Sequence, residues 1–400
     1  MNKLTADYVT LNQNYATSWF WRLLPAGMRR RWWLFRLFDL ISRNWPVFGS
    51  QKGLLIVRMD GIGDMVLFRG VLESYLETFS VKREDVIILG CKSWGSIAPQ
   101  IYHGYRIVII DEHAFARQPF YRLKISLMVR KLNVKTAVCD SYFRRAMMAD
   151  SLVLISAAKE IIVSLPFINE PTRSEFTYYL SQANRVIDTG PYPTHEIVRH
   201  CNFLSALGNR SVKTLEPIVS WQENSLNQIH FDRYIVLNPG SNEYGRRWPY
   251  DKYLNIAEHM LTLGYRVVIV GGKGEKAGDH KERFGEDDRI KDISGKTQLP
   301  ELMNVLKNAV ITISNDTGPA HLSIALKTPT VIIVGGGHFG SFVPYPKDAT
   351  PKGVKFVYEE MSCYHCFWRC HKRKDKFEVF PCVSSVTEEK VIENIMELIF

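Results

Sequence analysis

Three short segments of the 400-residue sequence combine glycines with a carboxylate, a guanidinium or an imidazole in patterns that suit an anionic ligand. The first is Arg58-Met59-Asp60-Gly61-Ile62-Gly63-Asp64-Met65-Val66. Gly61 and Gly63 let the backbone turn sharply and let a substrate approach it, and a helix starting there aims free N–H groups at the ligand. Asp64 puts a carboxylate at the mouth of the turn, where it can serve as general base to a substrate hydroxyl; the other job for Asp at such a place is to N-cap the helix. A third glycine is missing (Val66 stands there), and the next strand ends Leu89-Gly90 without an acid for a ribose. The segment therefore departs from the dinucleotide fingerprint of a dehydrogenase.

The second segment is Asn238-Pro239-Gly240-Ser241, followed by Arg246-Arg247-Trp248-Pro249. Backbone donors at Gly240, the Ser241 hydroxyl and the Arg246 fork suit a phosphate; the plainer alternative is surface arginines beside a core tryptophan. The third is Ser314-Asn315-Asp316-Thr317-Gly318-Pro319-Ala320-His321. Pro319 belongs in a first helical turn, Asp316 and Thr317 can orient a sugar or a diphosphate, and His321 lies one turn along, within reach of a phosphate. Taken alone, Asp or Thr here is a helix cap. Gly335-Gly336-Gly337 then invites close approach of a ligand to the backbone.

These segments need a scaffold, and the hydrophobic pattern supplies one twice. Strands are expected at 54–58, 86–89, 105–110 and 136–139, with helices at 65–79 and 121–132 between them. After a helix at 195–207 and a lapse in periodicity near 208–231, strands at 234–237, 266–270, 310–314 and 330–334 alternate with helices at 250–263, 299–307 and 319–326. Continuous Val/Ile/Leu runs separated by helices describe parallel sheets covered on both faces, and ligands of such sheets bind beyond the carboxyl ends of the strands. The expected fold class is α/β: two Rossmann-like, doubly wound parallel-sheet domains facing across a cleft. Their expected extents are 51–215 and 216–385, with a C-terminal helix at 386–400.

The formal charge of +10 is carried mostly by two places. Residues 1–50 contribute +5 and hold five of the nine tryptophans, Trp19, Trp21, Trp32, Trp33 and Trp45. On a helix from 29 to 44, Arg29, Arg36 and Arg43 share a stripe with Asp39, while Trp33, Leu34, Phe35, Leu37, Phe38, Leu40 and Ile41 fill a broad opposite face. That pattern is expected to lie in a membrane interface, docking residues 19–45 on a bilayer surface; a helix packed on the protein's own surface with solvated arginines is the alternative. No secretory signal is read at the N-terminus and no stretch is long and apolar enough to span, so the expected location is cytoplasmic, peripheral to a membrane surface.

The second place is residues 363–376, at +4. There Cys363, Cys366 and Cys370, with Cys382 downstream, set four of the seven cysteines within twenty residues. Four close thiols in a cytosolic enzyme favour a structural zinc or iron over disulfides or free thiols, although the spacing is not that of a standard zinc finger. The basic residues carry no nucleic-acid recognition motif, so no nucleic-acid partner is expected.

With these segments placed, the sequence resembles the glycosyltransferase family 9 of bacterial heptosyltransferases, which have the GT-B fold. The resemblance rests on Leu55–Asp64, on Leu237–Ser241 with Arg246–Pro249, and on Asn315–His321, in that order over roughly residues 53–340. It implies a transfer of a sugar, with inversion and without a catalytic metal, from a nucleotide donor such as ADP-heptose to a hydroxyl of a lipopolysaccharide precursor or other lipid-linked glycan. Asp64 matches the family's catalytic base. Gly240, Ser241, Arg246, Thr317, Gly318 and His321 match donor-phosphate positions, Asp316 matches a donor-contacting acid and Glu275 a ribose contact. Gly61 and Gly63 belong to the same substrate-binding set. Where heptosyltransferases usually place lysine before the Trp-Pro pair, this chain has Arg246, which keeps the charge and changes the geometry. The sequence has no Asp-x-Asp pair for a divalent metal, in keeping with help from Arg246 and helix ends. The branch of the family that modifies adhesins carries a cysteine-rich finger, which keeps a protein O-heptosyltransferase as an alternative. A catalytically silent sugar-nucleotide-binding or scaffold protein is the alternative of another class.

Overall fold

The computed structural model describes residues 32–223, 229, 231–274 and 278–400. Most of the tryptophan-rich segment and Glu275 lie outside the described residues. The chain forms two compact units, each of them discontinuous in sequence. Unit 1 takes in the described residues up to Gly61, then Val71–Gly190 and Glu196–Lys213; unit 2 takes in Ile62–Gly70, Pro191–His195 and Thr214–Phe400.

In unit 1, six strands form one parallel sheet: β1 (Leu54–Arg58), β2 (Val86–Cys91), β3 (Arg106–Ile110), β4 (Thr136–Cys139), β5 (Glu160–Ser164) and β6 (Arg185–Ile187), in the order β3-β2-β1-β4-β5-β6. In unit 2, β7 (Tyr234–Asn238), β8 (Arg266–Ile269), β9 (Ile290–Asp292), β10 (Ile311–Asn315), β11 (Thr330–Ile333) and β12 (Val354–Val357) form a second, in the order β12-β11-β10-β7-β8-β9. The two orders are the same pattern, that of doubly wound nucleotide-binding folds, with strand order reversing between β1 and β4 and between β7 and β10. β1, β2, β7 and β10 are buried at every position, which is why β1, β2 and β7 read as near-continuous apolar runs; β10, Ile-Thr-Ile-Ser-Asn, is equally buried but alternates. Each sheet has its own hydrophobic core.

The helices that matter below are α1 (Trp32–Arg43), α2 (Ile62–Arg69), α3 (Leu72–Phe79), α4 (Pro119–Lys131), α5 (Ala149–Ile155), α6 (Arg173–Leu180), α7 (Glu196–Gly208), α8 (Tyr250–Thr262), α9 (Leu299–Lys307), α10 (Gly318–Ala325) and α11 (Glu388–Ile399). The single helix expected at 65–79 is two helices, α2 and α3, interrupted at Gly70-Val71. No helix among the described residues is long and apolar enough to cross a membrane.

The polar stripe of α1 lies against unit 1 and is not solvated. Asp39 is 3% exposed and accepts from Arg122 Nε at 2.8 Å and Nη2 at 2.7 Å, and from Ser151 Oγ at 2.7 Å. The Arg36 guanidinium lies 3.7 Å over the Tyr178 ring, and Arg43 Nη1 donates to Gln182 Oε1 at 2.7 Å. Of the apolar set, Phe35 is buried, while Leu37 and Ile41 are 51% and 55% exposed. The cause is long-range: Arg122 is buried in α4 and needs a carboxylate, and Asp39 is the one that meets it.

Candidate active site

The carboxyl ends of β7 and β10 meet where strand order reverses in unit 2, and two buried asparagines tie them together. Asn238 Nδ2 donates to Ser314 Oγ at 2.8 Å and to Thr317 Oγ1 at 2.9 Å. Asn315 Nδ2 donates to Pro239 O at 2.8 Å and Gly240 O at 3.3 Å, while its Oδ1 accepts from Trp248 N at 3.0 Å and Tyr253 OH at 3.1 Å. Buried amides with this many partners hold both loops in one arrangement. The Gly240-Ser241 turn is held again by Arg247, whose Nε donates to Ser241 O at 2.9 Å. Trp248 is core, 1% exposed.

Arg246 reaches from this turn to the next loop, where its Nη2 pairs with Asp316 Oδ2 at 2.9 Å and also donates to the Asp316 carbonyl. Asp316 Oδ1 lies 3.6 Å from His321 Nε2, and His321 Nδ1 shares a 2.6 Å hydrogen bond with Tyr345 OH. Burial pushes the Asp316 carboxyl up, but the Arg246 guanidinium and the His321 ring outweigh it and hold Asp316 below its ordinary range. Thr317 has N-cap backbone geometry, yet its side chain makes no capping bond; the hydroxyl is engaged by Asn238 instead. Gly318 opens α10.

Asp64 belongs to unit 2, although the strand before it belongs to unit 1. It lies in the first turn of α2, two residues inside the helix, so it is not the N-cap; it is half-buried. The N-terminal ends of α2 and α10 pack on each other: a Cβ on Gly63 would stand 2.8 Å from His321 Cδ2, and one on Gly318 would stand 3.0 Å from Ile62 Cβ. Only glycine permits this approach, which sets the residue before Asp64 against the ring of His321. Unit 2 thus brings together Gly63, Asp64, Gly240, Ser241, Arg246, Asp316, Thr317, Gly318 and His321. Gly61 ends a segment of unit 1, and Glu275 is outside the described residues.

The triple glycine after β11 has a different use from the one expected. The space above Gly336 is filled by the Tyr364 ring and that above Gly337 by the Trp368 ring, so side chains of the cysteine-rich loop, not a ligand, make the close approach. Cys382 is buried and its Sγ accepts from Gly336 N–H at 3.3 Å. All seven cysteines are free thiols. Burial, with the other thiols of the cluster, pushes the Cys366 and Cys382 thiols up. Among the described residues no three His, Cys, Asp or Glu side chains stand close enough to hold a metal ion, so these four thiols do not fit a closed tetrahedral site as placed.

Two groups of polar residues escaped the motif reading. In unit 2, Tyr345 and His338 adjoin the site; burial and the Arg246 charge, opposed by Asp316, bring His338 down to about 4. In unit 1, Arg58 at the end of β1 pairs with Asp60 at 2.6 Å and with Asp140 at 2.6 Å, and Asp140 meets His200 Nδ1 at 2.5 Å. Burial opposes ionisation of Asp140, yet His200 and Arg58 hold it well below the usual carboxylate range. Asp60 also accepts from Ser141 Oγ, and its carbonyl from Trp94 Nε1 at 3.2 Å. This buried network fixes the chain four residues before Asp64. Its signal in the sequence was only an Arg and an Asp just beyond a strand.

The family described as "Glycosyltransferase family 9 (heptosyltransferase)" matches residues 171–373, just over half of the chain and including the Arg246, Asp316 and His321 loops. The chain belongs to glycosyltransferase family 9. This family-9 chain is 28% identical over 217 residues to lipopolysaccharide heptosyltransferase 3 of Escherichia coli K12, an alignment covering 50% of the chain and 61% of that relative. The chain thus spans about three fifths of that relative's length. Among solved structures, E. coli ADP-heptose LPS heptosyltransferase II superposes with a TM-score of 0.64 at 16% identity, covering 87% of the chain and 98% of that structure. An iron-containing dodecameric glycosyltransferase, TibC from enterotoxigenic E. coli, superposes with a TM-score of 0.52 at 15% identity, covering 88% and 77%. The fold of the family-9 chain is of the GT-B type.

Proposed function

We propose that the protein transfers a sugar, heptose from ADP-heptose, with inversion onto a hydroxyl of lipopolysaccharide or another lipid-linked glycan. The observation that carries this reading is the packing of α2 on α10, which gathers a first-turn carboxylate, a guanidinium and an imidazole in one unit of a family-9 chain. In the proposed reaction Asp64 accepts the proton of the acceptor hydroxyl as its oxygen bonds to the anomeric carbon. The bond from that carbon to the diphosphate oxygen breaks, and ADP leaves with the electron pair. Arg246 and the N-terminal end of α10 neutralise the charge that grows on the diphosphate, so the reading asks for no catalytic metal. The test is a donor screen, with ADP-heptose against other nucleotide sugars, run on the wild type and on Asp64→Asn. ADP-heptose turnover that falls by about 10²–10⁴-fold in Asp64→Asn, with donor affinity unchanged, is expected. Wild-type turnover in that variant would rule Asp64 out as base, and donor binding without turnover on any acceptor would favour the silent sugar-nucleotide-binding alternative.

Two further assignments belong to the same reading. Peripheral attachment to the cytoplasmic face of the inner membrane is supported by Leu37, Ile41, Trp45 and Phe48, which are 51%, 55%, 45% and 92% exposed. Sedimentation with anionic phospholipid vesicles, lost when these four are made polar, tests it; vesicle binding unchanged in that variant sinks it. A structural zinc or iron on Cys363, Cys366, Cys370 and Cys382 is supported by the spacing of the thiols and requires the loop to tighten around the ion. Purified protein without stoichiometric zinc or iron would dismiss it. A protein acceptor, the remaining alternative, would show as transfer to a polypeptide with none to lipid-linked glycan.

A further inference from the structure

Arg246 is oriented by two contacts from opposite directions. Its Nη2 is held by Asp316, and its guanidinium carbon lies 4.7 Å from the centre of the Trp368 ring. Its Nε is buried and has no hydrogen-bond partner. A buried guanidinium N–H without a partner points to a group the protein does not itself supply.

Trp368 is held more firmly than a surface loop residue would be. The loop that carries it is hydrogen-bonded to the triple glycine through His365 N to Gly336 O at 2.7 Å and Phe367 N to Gly337 O at 2.9 Å. His365, Phe367 and Trp368 all adopt left-handed φ, at 67°, 53° and 59°. Non-glycine residues in that region cost energy and persist only where surrounding contacts over-determine them. Here the contacts are the close seat of the indole on Gly335 and Gly337 and its packing on Phe380, with ring centroids 5.2 Å apart. The indole also packs against the hydrophobic core of unit 2, and the side chain so placed touches Arg246.

We propose that Trp368 is a positioning residue for Arg246: the indole fixes the plane of the guanidinium so that its free Nε–H meets the diphosphate of the donor. The proposal rests on the reading of Arg246 as a donor-phosphate ligand and assigns the cysteine-rich loop a part in donor recognition. It also accounts for arginine where lysine is usual among the family's relatives. A planar guanidinium stacks on an indole and keeps edge donors for phosphate, whereas a lysine ammonium has no plane to fix.

The test measures ADP binding by titration calorimetry on the full chain. Arg246→Ala is expected to weaken ADP binding at least tenfold, and Trp368→Leu about tenfold. Trp368→Phe, which keeps a ring, should restore most of the loss, leaving about threefold. In an Arg246→Lys background, Trp368→Leu should cost less than about twofold, because there is no longer a plane to hold. Wild-type ADP affinity in Trp368→Leu, or a loss of the same size in the lysine background, overturns the positioning role while leaving Arg246 as a ligand. Unchanged affinity in Arg246→Ala overturns the phosphate reading and the positioning role together. Should Trp368→Leu fail to fold, the comparison is made with Trp368→Phe, whose threefold loss must again vanish beside Arg246→Lys; an equal loss in both backgrounds overturns the proposal.

Discussion

Burial, and after it the Arg246 guanidinium, pushes His338 towards its neutral form. The folded chain holds His338 neutral down to about pH 4, whereas the ordinary histidine value is 6.5. Between those values the unfolded chain binds a proton that the folded chain refuses, so stability is lost as pH falls from 6.5 towards 4. His338→Gln is expected to flatten that stretch of the stability curve, measured by urea unfolding at a series of pH values; an unchanged slope would place the proton uptake elsewhere. Which residues would meet was only partly readable in advance. Asp316 and His321 share one loop, and their closeness follows from spacing. Arg246 is 70 residues before Asp316, and its partnership with that carboxylate depends on β7 and β10 being neighbours. Trp368, His338 and Tyr345 carried no motif, and nothing short of the fold brings the first two to Arg246 and Tyr345 to His321. The Arg58–Asp140–His200 network is hidden for the same reason, its members spread over three elements of unit 1.

Helix α1 shows that a helical wheel reads segregation but not which side faces the protein: Arg36, Asp39 and Arg43 make the contacts, where the alternative of solvated arginines put them in water. Asp39→Asn removes the charge that pairs with Arg122, both being almost fully buried. The expected cost is about 3–5 kcal/mol of stability, the penalty of an uncompensated buried cation. Chemical denaturation of Asp39→Asn measures it, and a loss under about 1 kcal/mol would mean that water reaches Arg122 in the variant. Buried elements with an unbroken apolar run or a clear helical stripe were legible: β1, β4 and α9 were located to the residue. Short ones were not. β6 and β9 have three residues each, too few to show a period, and β5 begins on a glutamate. α5 and α6 mix buried Asp150, Ser151, Glu175 and Thr177 into their inner faces, which blurs the apolar stripe. The break between α2 and α3 was missed because Gly70 interrupts an otherwise continuous helical pattern.

Each unit has its own sheet and its own core, and the residues proposed to hold the donor lie in unit 2. Heating is therefore expected to give two calorimetric transitions, of which ADP raises only the one belonging to unit 2. At a hundred times its dissociation constant the shift corresponds to about 2.7 kcal/mol. A single transition, or an equal shift of both, would show that the units unfold as one. That the chain holds two doubly wound halves was evident from the alternation of strands and helices, but the strand order within each and the division of the chain between them were not. Sequence order places Asp64 with the first half, whereas Ile62–Gly70 and Pro191–His195 group with the second. This has a consequence for protein chimaeras. An exchange of halves between relatives at a junction near residue 215 would leave α2, with buried Met65–Phe68, to meet a foreign α10. A working hybrid has to carry residues 62–70 and 191–195 along with the C-terminal half, as three transplanted pieces instead of one.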